Sequence, residues 1–421
     1  MPNTIHSEVD LPRDIRLAIE GYIADADTRQ FPWPVYAELR KCAPIYKSQD
    51  GFWVITGHRQ ACQLLRHPKI SRYQAAKTEY NFGFPGDPEA LQARAAFWND
   101  SMISLDNPKH RRLRNLVQPV FTKPAAERWR SQAQSIAKSL VDNVMDKRQF
   151  DFITEIAYRL PQKVICEILN VPYGDHALWT KCTETLAKFN TARESDIERR
   201  RQVDEALVSL YRYAKNLIAQ RRANMGTDLM SRLILTEYEG ERLSDDEIAS
   251  IFELLIIAGS ETTSQFIANS IYTIIKNPDL LQTLNAEPDK IPQAVEELLR
   301  MVGTAVMGNY RATTEEIEID GITIPRGATL MIVLAAANRD PEVFKDPERC
   351  ILDRADVGAH VAFGFDTHMC LGNHLARMEA HVMLREVVTR LPDLELVGEP
   401  FWYGYHTRGP RSLIVRRSIL G

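Results

Sequence analysis

Residues 244–277 constrain the fold more than any other stretch of this chain. Ser244 with Glu247 three positions later forms a capping box, a helix-start signal. Pro278 stops the helix at Asn277. At about 1.5 Å per residue such a helix is roughly 50 Å long. From Leu254 to Ala258 it is apolar on every side, so it is buried. A helix that long and that enclosed needs other elements around it, and a chain of 421 residues can supply them.

The buried stretch then breaks a local rule. It continues as Ala258-Gly259-Ser260-Glu261-Thr262-Thr263. A glycine and a carboxylate inside a buried helix both cost stability. Thr262 can bond the carbonyl of Ala258 and loosen the helix ladder there. Small residues at 258 and 259 open space for a diatomic ligand, and Glu261 and Thr262 can relay protons into it. Ala258 and Gly259 could instead form a helix-packing groove, but packing alone would not call for Glu261.

A second stretch carries chemistry. Phe363-Gly364-Phe365-Asp366-Thr367-His368-Met369-Cys370-Leu371-Gly372 runs into a helix whose apolar residues Leu375, Met378, Val382, Met383, Val387 and Leu391 recur at helical spacing. Cys370 is expected at the helix N-terminus, where free N–H groups and the dipole stabilise a thiolate. Such a thiolate is a nucleophile, a redox thiol or a metal ligand. Gly364 and Gly372 leave room for something flat, and Phe363 can pack over the loop. An inert buried thiol is the bland alternative. A zinc site with His368 and His374 is another, but no second Cys/His cluster at zinc spacing accompanies them.

Two further patterns are weak alone. His110 and Arg114 are four apart and share a helix face. Glu297 and Arg300, three apart on a helix opened by Pro292, can pair, as such residues do on many helices.

Taken together, the four patterns resemble those of the cytochrome P-450 family, in family order. The cysteine loop is similar to Phe-Gly-x-Gly-x-His-x-Cys-x-Gly, with Asp366 where the family has glycine. Residues 258–262 match Ala-Gly-x-Glu-Thr fully. The remaining two match His-x-x-x-Arg and Glu-x-x-Arg. The resemblance implies a mainly α fold with a smaller β lobe (α+β). By the same resemblance, haem b would lie between the long central helix and the helix after Cys370. It makes Cys370 the axial thiolate, with Phe363, Gly364 and Gly372 around it. His110, Arg114, Arg311 and His368 would contact the haem propionates. Glu261 and Thr262 would manage protons for oxygen activation. Glu297, Arg300 and Arg354 would form a structural network, with Arg349 the rival third member. Leu254, Ile257, Ala258, Val306, Met307, His406 and Thr407 would line the substrate pocket.

The implied reaction is hydroxylation or epoxidation of a lipophilic small molecule with O₂. The substrate is read as a secondary metabolite such as a polyketide, terpenoid or modified peptide. Electrons would come from a separate ferredoxin and its reductase. Oxidative coupling or peroxide-driven oxidation on the same fold, and a non-catalytic haem-thiolate sensor or carrier, stay open. Lys109, Arg111 and Arg112 could offer a basic surface to an acidic ferredoxin.

Composition sets the remaining expectations. Net charge is −4, which gives no sign of a nucleic-acid partner. Six cysteines without motif spacing fit a reducing cytoplasm. Met1 to Arg13 has no signal-peptide core, and no run of eighteen apolar residues predicts a membrane span. The chain reads as a single monomeric domain over 1–421. Its β-rich parts are expected at about 40–56, 315–335 and 393–418, and its helical parts at about 58–302 and 371–390. Residues 71–106 show no steady period and read as a long loop with aromatics, a packed lid.

Overall fold

The computed structural model describes residues 31–49, 51–79, 88–189, 197–304, 309–403 and 407–418. A central helix, Asp245–Ile275, runs through it. Its capping box is closed: Ser244 Oγ accepts from the Glu247 N–H at 3.2 Å, and Glu247 Oε2 accepts from the Ser244 N–H at 2.8 Å. The helix ends two residues short of Asn277, which precedes the next helix, Pro278–Ala286.

Helices Arg159–Leu169, Ile197–Ala223, Ile291–Val302 and Asn373–Arg390 pack around the central one. Phe252, Ile256, Phe266, Ile267 and Ile271 enter one large apolar core with Leu160, Leu298 and Met383. Each such fully buried side chain contributes roughly 1.5–3 kcal/mol relative to exposure. Among the described residues, no helix is long and apolar enough to cross a membrane.

The β lobe is built on a five-stranded sheet in the order Ile45–Lys47, Trp53–Ile55, Thr329–Ile332, Asn309–Thr313, Ile70–Ser71. Only the Trp53–Ile55 and Thr329–Ile332 pairing is parallel. It joins distant parts of the chain and carries Arg311 on the neighbouring strand. A hairpin, Ile317–Ile319 with Ile322–Ile324, turns at Asp320 (φ +55°) and Gly321 (φ +75°), the two left-handed positions a tight hairpin needs. A third sheet pairs Ile414–Arg417 with Leu394–Leu396 and Gln149–Asp151.

Three expectations change. Residues 71–106 are mostly helical where described, with helices Arg72–Glu79 and Pro88–Arg94 and a π turn at Ala95–Asn99. These helices span barely two turns, too short for a period to register. Phe97 and Met102 are core residues, and Ile103 is exposed. Phe82 and Phe84 lie outside the described residues. Strand Gln149–Asp151 interrupts the expected helical run, because its partners come from the far end of the chain. Strands Ile70–Ser71 and Asn309–Thr313 likewise fall inside or beside spans read as helical.

Candidate active site

The central helix exposes one face where it should be most buried. Ala258 is exposed, and Leu254, Ile257, Gly259, Glu261 and Thr262 are half-buried, while Phe252, Ile256 and Thr263 are buried. Leu254, Ala258 and Thr262 fall four apart, so they form one stripe. That stripe therefore borders open space. Thr262 Oγ1 donates to the Ala258 carbonyl at 2.7 Å, the bond the sequence allowed. Glu261 Oε1 accepts from Gln265 Nε2 at 2.9 Å. A Cβ on Gly259 would meet Ile165 Cδ1 at 3.9 Å, an ordinary contact. Packing therefore does not demand glycine at 259.

The cysteine loop precedes its helix rather than starting it. Helix Asn373–Arg390 begins three residues after Cys370, and Gly372 is its cap residue. A 3₁₀ turn, Asp366–His368, leads in. Gly364 has φ +76° and Asp366 has φ +58°, so aspartate holds the left-handed position that the family fills with glycine. The Cys370 N–H donates to the Phe363 carbonyl at 2.8 Å. Cys370 is exposed, so it too borders open space. Burial raises its thiol above the ordinary range, opposed by a backbone hydrogen bond from Gly372 and by Arg114 and Arg377. A Cβ on Gly372 would meet nothing within 4 Å.

Beside this loop, basic groups crowd together. His110, on helix Lys109–Val117, is 2% exposed, and its ring centroid is 4.2 Å from that of His368. His110 Nδ1 is buried with no hydrogen-bond partner among the described residues. Arg114 Nη2 donates to the Met369 carbonyl at 2.8 Å. Arg311 is buried, with Nη1 on the Tyr310 carbonyl at 2.8 Å. Burial pushes the His368 imidazole down to about 2, helped by Arg311, His110, Arg72 and Arg114. Burial takes His110 down to about 4, helped by Arg114 and Arg311 and opposed by Asp106. Basic groups that repel one another in low dielectric fit a ligand that brings anionic charge. Haem, a flat dianion with an iron that takes a thiolate, meets the space, the basic cluster and the accessible sulfur together.

Arg72 is the member of this cluster that the sequence reading missed. It opens helix Arg72–Glu79, where its N–H donates to Asp106 Oδ1 at 2.8 Å. A single arginine in a stretch without period carried no signal. Arg112 is a correction in the other direction. Its guanidinium bonds Glu241, the Arg242 carbonyl and, at 2.6 Å, Glu247 Oε1. It ties its helix to the start of the central helix and is spent there, whereas Lys109 and Arg111 are exposed.

The structure brings Glu297, Arg300 and Arg354 together. Arg300 Nε and Nη2 grip the two Glu297 oxygens at 2.8 Å each, and Arg354 Nε lies 3.0 Å from both. Arg349 offers only its carbonyl. Val306, Met307 and His406 lie outside the described residues, and Thr407 is half-buried. Among the described residues, no group of three His, Cys, Asp or Glu side chains lies close enough to hold a metal ion.

Set against known proteins, the chain belongs to the cytochrome P-450 family, whose model matches residues 15–392. It is 35% identical to cytochrome P-450 monooxygenase PikC of Streptomyces venezuelae, over 91% of each chain. It is 34% identical to 6-deoxyerythronolide B hydroxylase of Saccharopolyspora erythraea, over 88% of this chain and 92% of that one. Its fold matches that of the bacillaene polyketide synthase cytochrome P-450 PksS of Bacillus subtilis, with a TM-score of 0.83 and 29% identity over 94% of this chain and 99% of that one. The chain is thus a cytochrome P-450 monooxygenase with haem as its cofactor.

Proposed function

We propose that this enzyme oxygenates a lipophilic secondary metabolite, with Cys370 as the axial ligand of its haem. The single observation that carries the site assignment is the accessible Cys370 sulfur beside the packed His110–His368 pair and Arg114. Bound haem supplies the activation of O₂, with two electrons arriving singly. The chain's own residues bind, orient and manage protons. His110, Arg114, Arg311 and His368 would hold the two propionates, joined by Arg72. Phe363, Gly364 and Gly372 shape the loop against the ring. Glu261 carries a proton at its carboxyl and Thr262 at Oγ1, beside the space opened by Ala258 and Gly259. Leu254, Ile257 and Ala258 offer an apolar wall, with Thr407, Val306, Met307 and His406 assigned to the same pocket. Glu297, Arg300 and Arg354 hold the fold.

The substrate class finds support in two relatives. One is named for hydroxylating 6-deoxyerythronolide B, the other for a polyketide synthase. A polyketide-like molecule is therefore the first class to test. A ferredoxin with its reductase is the proposed electron source, with exposed Lys109 and Arg111 available to it. A monomeric, single-domain, cytoplasmic protein completes the reading, and its six free cysteines suit that compartment.

The test is the absorbance spectrum of purified protein, oxidised and then reduced under carbon monoxide. A Soret band far to the red in the reduced carbonyl state is expected. An ordinary haem-carbonyl spectrum would remove Cys370 from the iron. Titration with polyketides, watching for loss of the water ligand, then ranks substrates. Thr262→Ala separates the alternatives: O₂-driven product formation falls, whereas peroxide-driven oxidation or coupling would hardly change.

A further inference from the structure

Arg377 lies on the helix after the cysteine, and none of the motifs gives it a role. Its guanidinium carbon sits 4.5 Å from the centroid of the Phe363 ring, a cation–π contact. Nη1 donates to Asn373 Oδ1 at 3.0 Å. Nε and Nη2 grip Glu296 Oε1 at 2.6 Å and Oε2 at 3.0 Å. Glu296 also takes His360 Nε2 at 3.1 Å. Burial works to raise the Glu296 carboxyl, but His360 and Arg377 outweigh it and hold it at about 2.

Two of the residues that Arg377 touches, Phe363 and Asn373, also bond the backbone of Cys370. The Phe363 carbonyl accepts the Cys370 N–H at 2.8 Å. Asn373 Nδ2 donates to the Cys370 carbonyl at 2.7 Å. Both peptide groups of the cysteine thus hang on side chains or backbone that Arg377 braces. Glu296 in turn belongs to helix Ile291–Val302 and adjoins Glu297, which two buried arginines fix. The chain of contacts runs from a rigid helix through Glu296 and Arg377 to both ends of the cysteine loop.

We propose that Arg377, pinned by Glu296, is a positioning residue that sets how strongly the Cys370 thiolate donates to the haem iron. The inference rests on Cys370 being the axial ligand. Arg377 acts in two ways. It fixes the loop through Phe363 and Asn373, and it places a half-compensated positive charge near the sulfur. Glu296 supplies the compensation. Removing the cation makes an added electron less welcome at the iron. Removing the carboxylate leaves the cation uncompensated and does the opposite. A network that merely held the fold would give shifts of one sign from both changes.

The experiment compares haem-loaded parent, Arg377→Met, Arg377→Lys and Glu296→Gln. Reduction potentials come from spectroelectrochemical titration, and thiolate ligation from the reduced carbonyl Soret band. The expected result is a negative shift in Arg377→Met and a positive shift in Glu296→Gln. Arg377→Lys keeps the charge and returns the potential toward the parent. Unchanged potentials, or shifts of the same sign with the thiolate band intact, would overturn the proposal. If Arg377→Met does not retain haem, Glu296→Gln decides: a positive shift supports the proposal, and any other result overturns it. If the parent itself lacks the thiolate band, the assignment of Cys370 fails, and this proposal goes with it.

Discussion

Gln265 Nε2 donates to Glu261 Oε1 across 2.9 Å, one turn along the central helix. Gln265 is itself pressed into place. A Cβ on Gly409 would lie 2.7 Å from Gln265 Cγ, so only glycine lets the late strand come that close. The last strands of the chain therefore bear on the carboxylate assigned to proton delivery.

Gln265→Leu removes this donor from the Glu261 carboxyl. Product formation is expected to fall roughly tenfold, less than the 10²–10⁴ of a full general acid–base contribution. Haem content stays the same, and more hydrogen peroxide appears per electron pair consumed. Gly409→Ala, which displaces the same side chain, moves coupling in the same direction. The ratio of product to reductant, measured with a compound found by spectral titration, checks this. Unchanged coupling in both variants would leave Gln265 a packing residue.

Glu297 is fully buried between Arg300 and Arg354. Its oxygens also take the Ile351 N–H at 2.9 Å. Glu297→Gln removes the carboxylate between two buried guanidinium groups, leaving Arg354 only Asp356 at 3.8 Å, and breaking a buried pair in this way costs about 3–5 kcal/mol. The variant should unfold at markedly lower denaturant concentration and lose haem. A midpoint equal to the parent's would mean that the backbone carbonyls of Pro347 and Arg349 suffice for Arg300.

The central helix, its capping box and the Glu297–Arg300 pair were readable because each is a fixed spacing along one helix, whereas Arg354, far along the chain, and the cysteine loop were reached through the family pattern. The Thr262 bond to Ala258 was readable for the same reason. The strands Ile70–Ser71, Asn309–Thr313 and Gln149–Asp151 were not, since each is three to five residues or fewer and exists through partners far along the chain. Arg72, Gln265 and Arg377 escaped notice because their meaning lies in what they touch. An arginine is common on any helix, and only the fold brings Arg377 against Phe363.

Asp366 occupies a left-handed position, φ +58°, and is exposed. It stands four residues before Cys370 in the same loop, where a negative charge disfavours an added electron. Asp366→Gly should therefore raise the reduction potential. It should also stabilise the loop slightly, since a left-handed conformation costs other residues roughly 1–2 kcal/mol and glycine nothing. Asp366→Asn separates the two effects: it raises the potential without relieving the backbone. A potential unchanged in both variants would make Asp366 a turn residue only.

Glu379 lies on the helix after Cys370, 2% exposed, and burial pushes its carboxyl up to about 8 from an ordinary value near 4.5. Between those two values the folded chain keeps a proton that the unfolded chain has released. Stability is therefore fully present below the ordinary value and is lost as pH rises through the window, by about 1.4 kcal/mol per unit. Above pH 8 the contribution flattens. Glu253, on the central helix, adds a slope of the same sign. Both of its carboxyl oxygens are buried with no partner among the described residues, and burial raises it well above the ordinary range. Glu379→Gln keeps the shape of the side chain and removes its titration. Relative to the parent, the variant should gain little near pH 5 and several kcal/mol by pH 8. Denaturant unfolding at pH 5, 6.5 and 8 measures the difference. A gap that does not widen with pH would mean that Glu379 stays ionised in the folded chain.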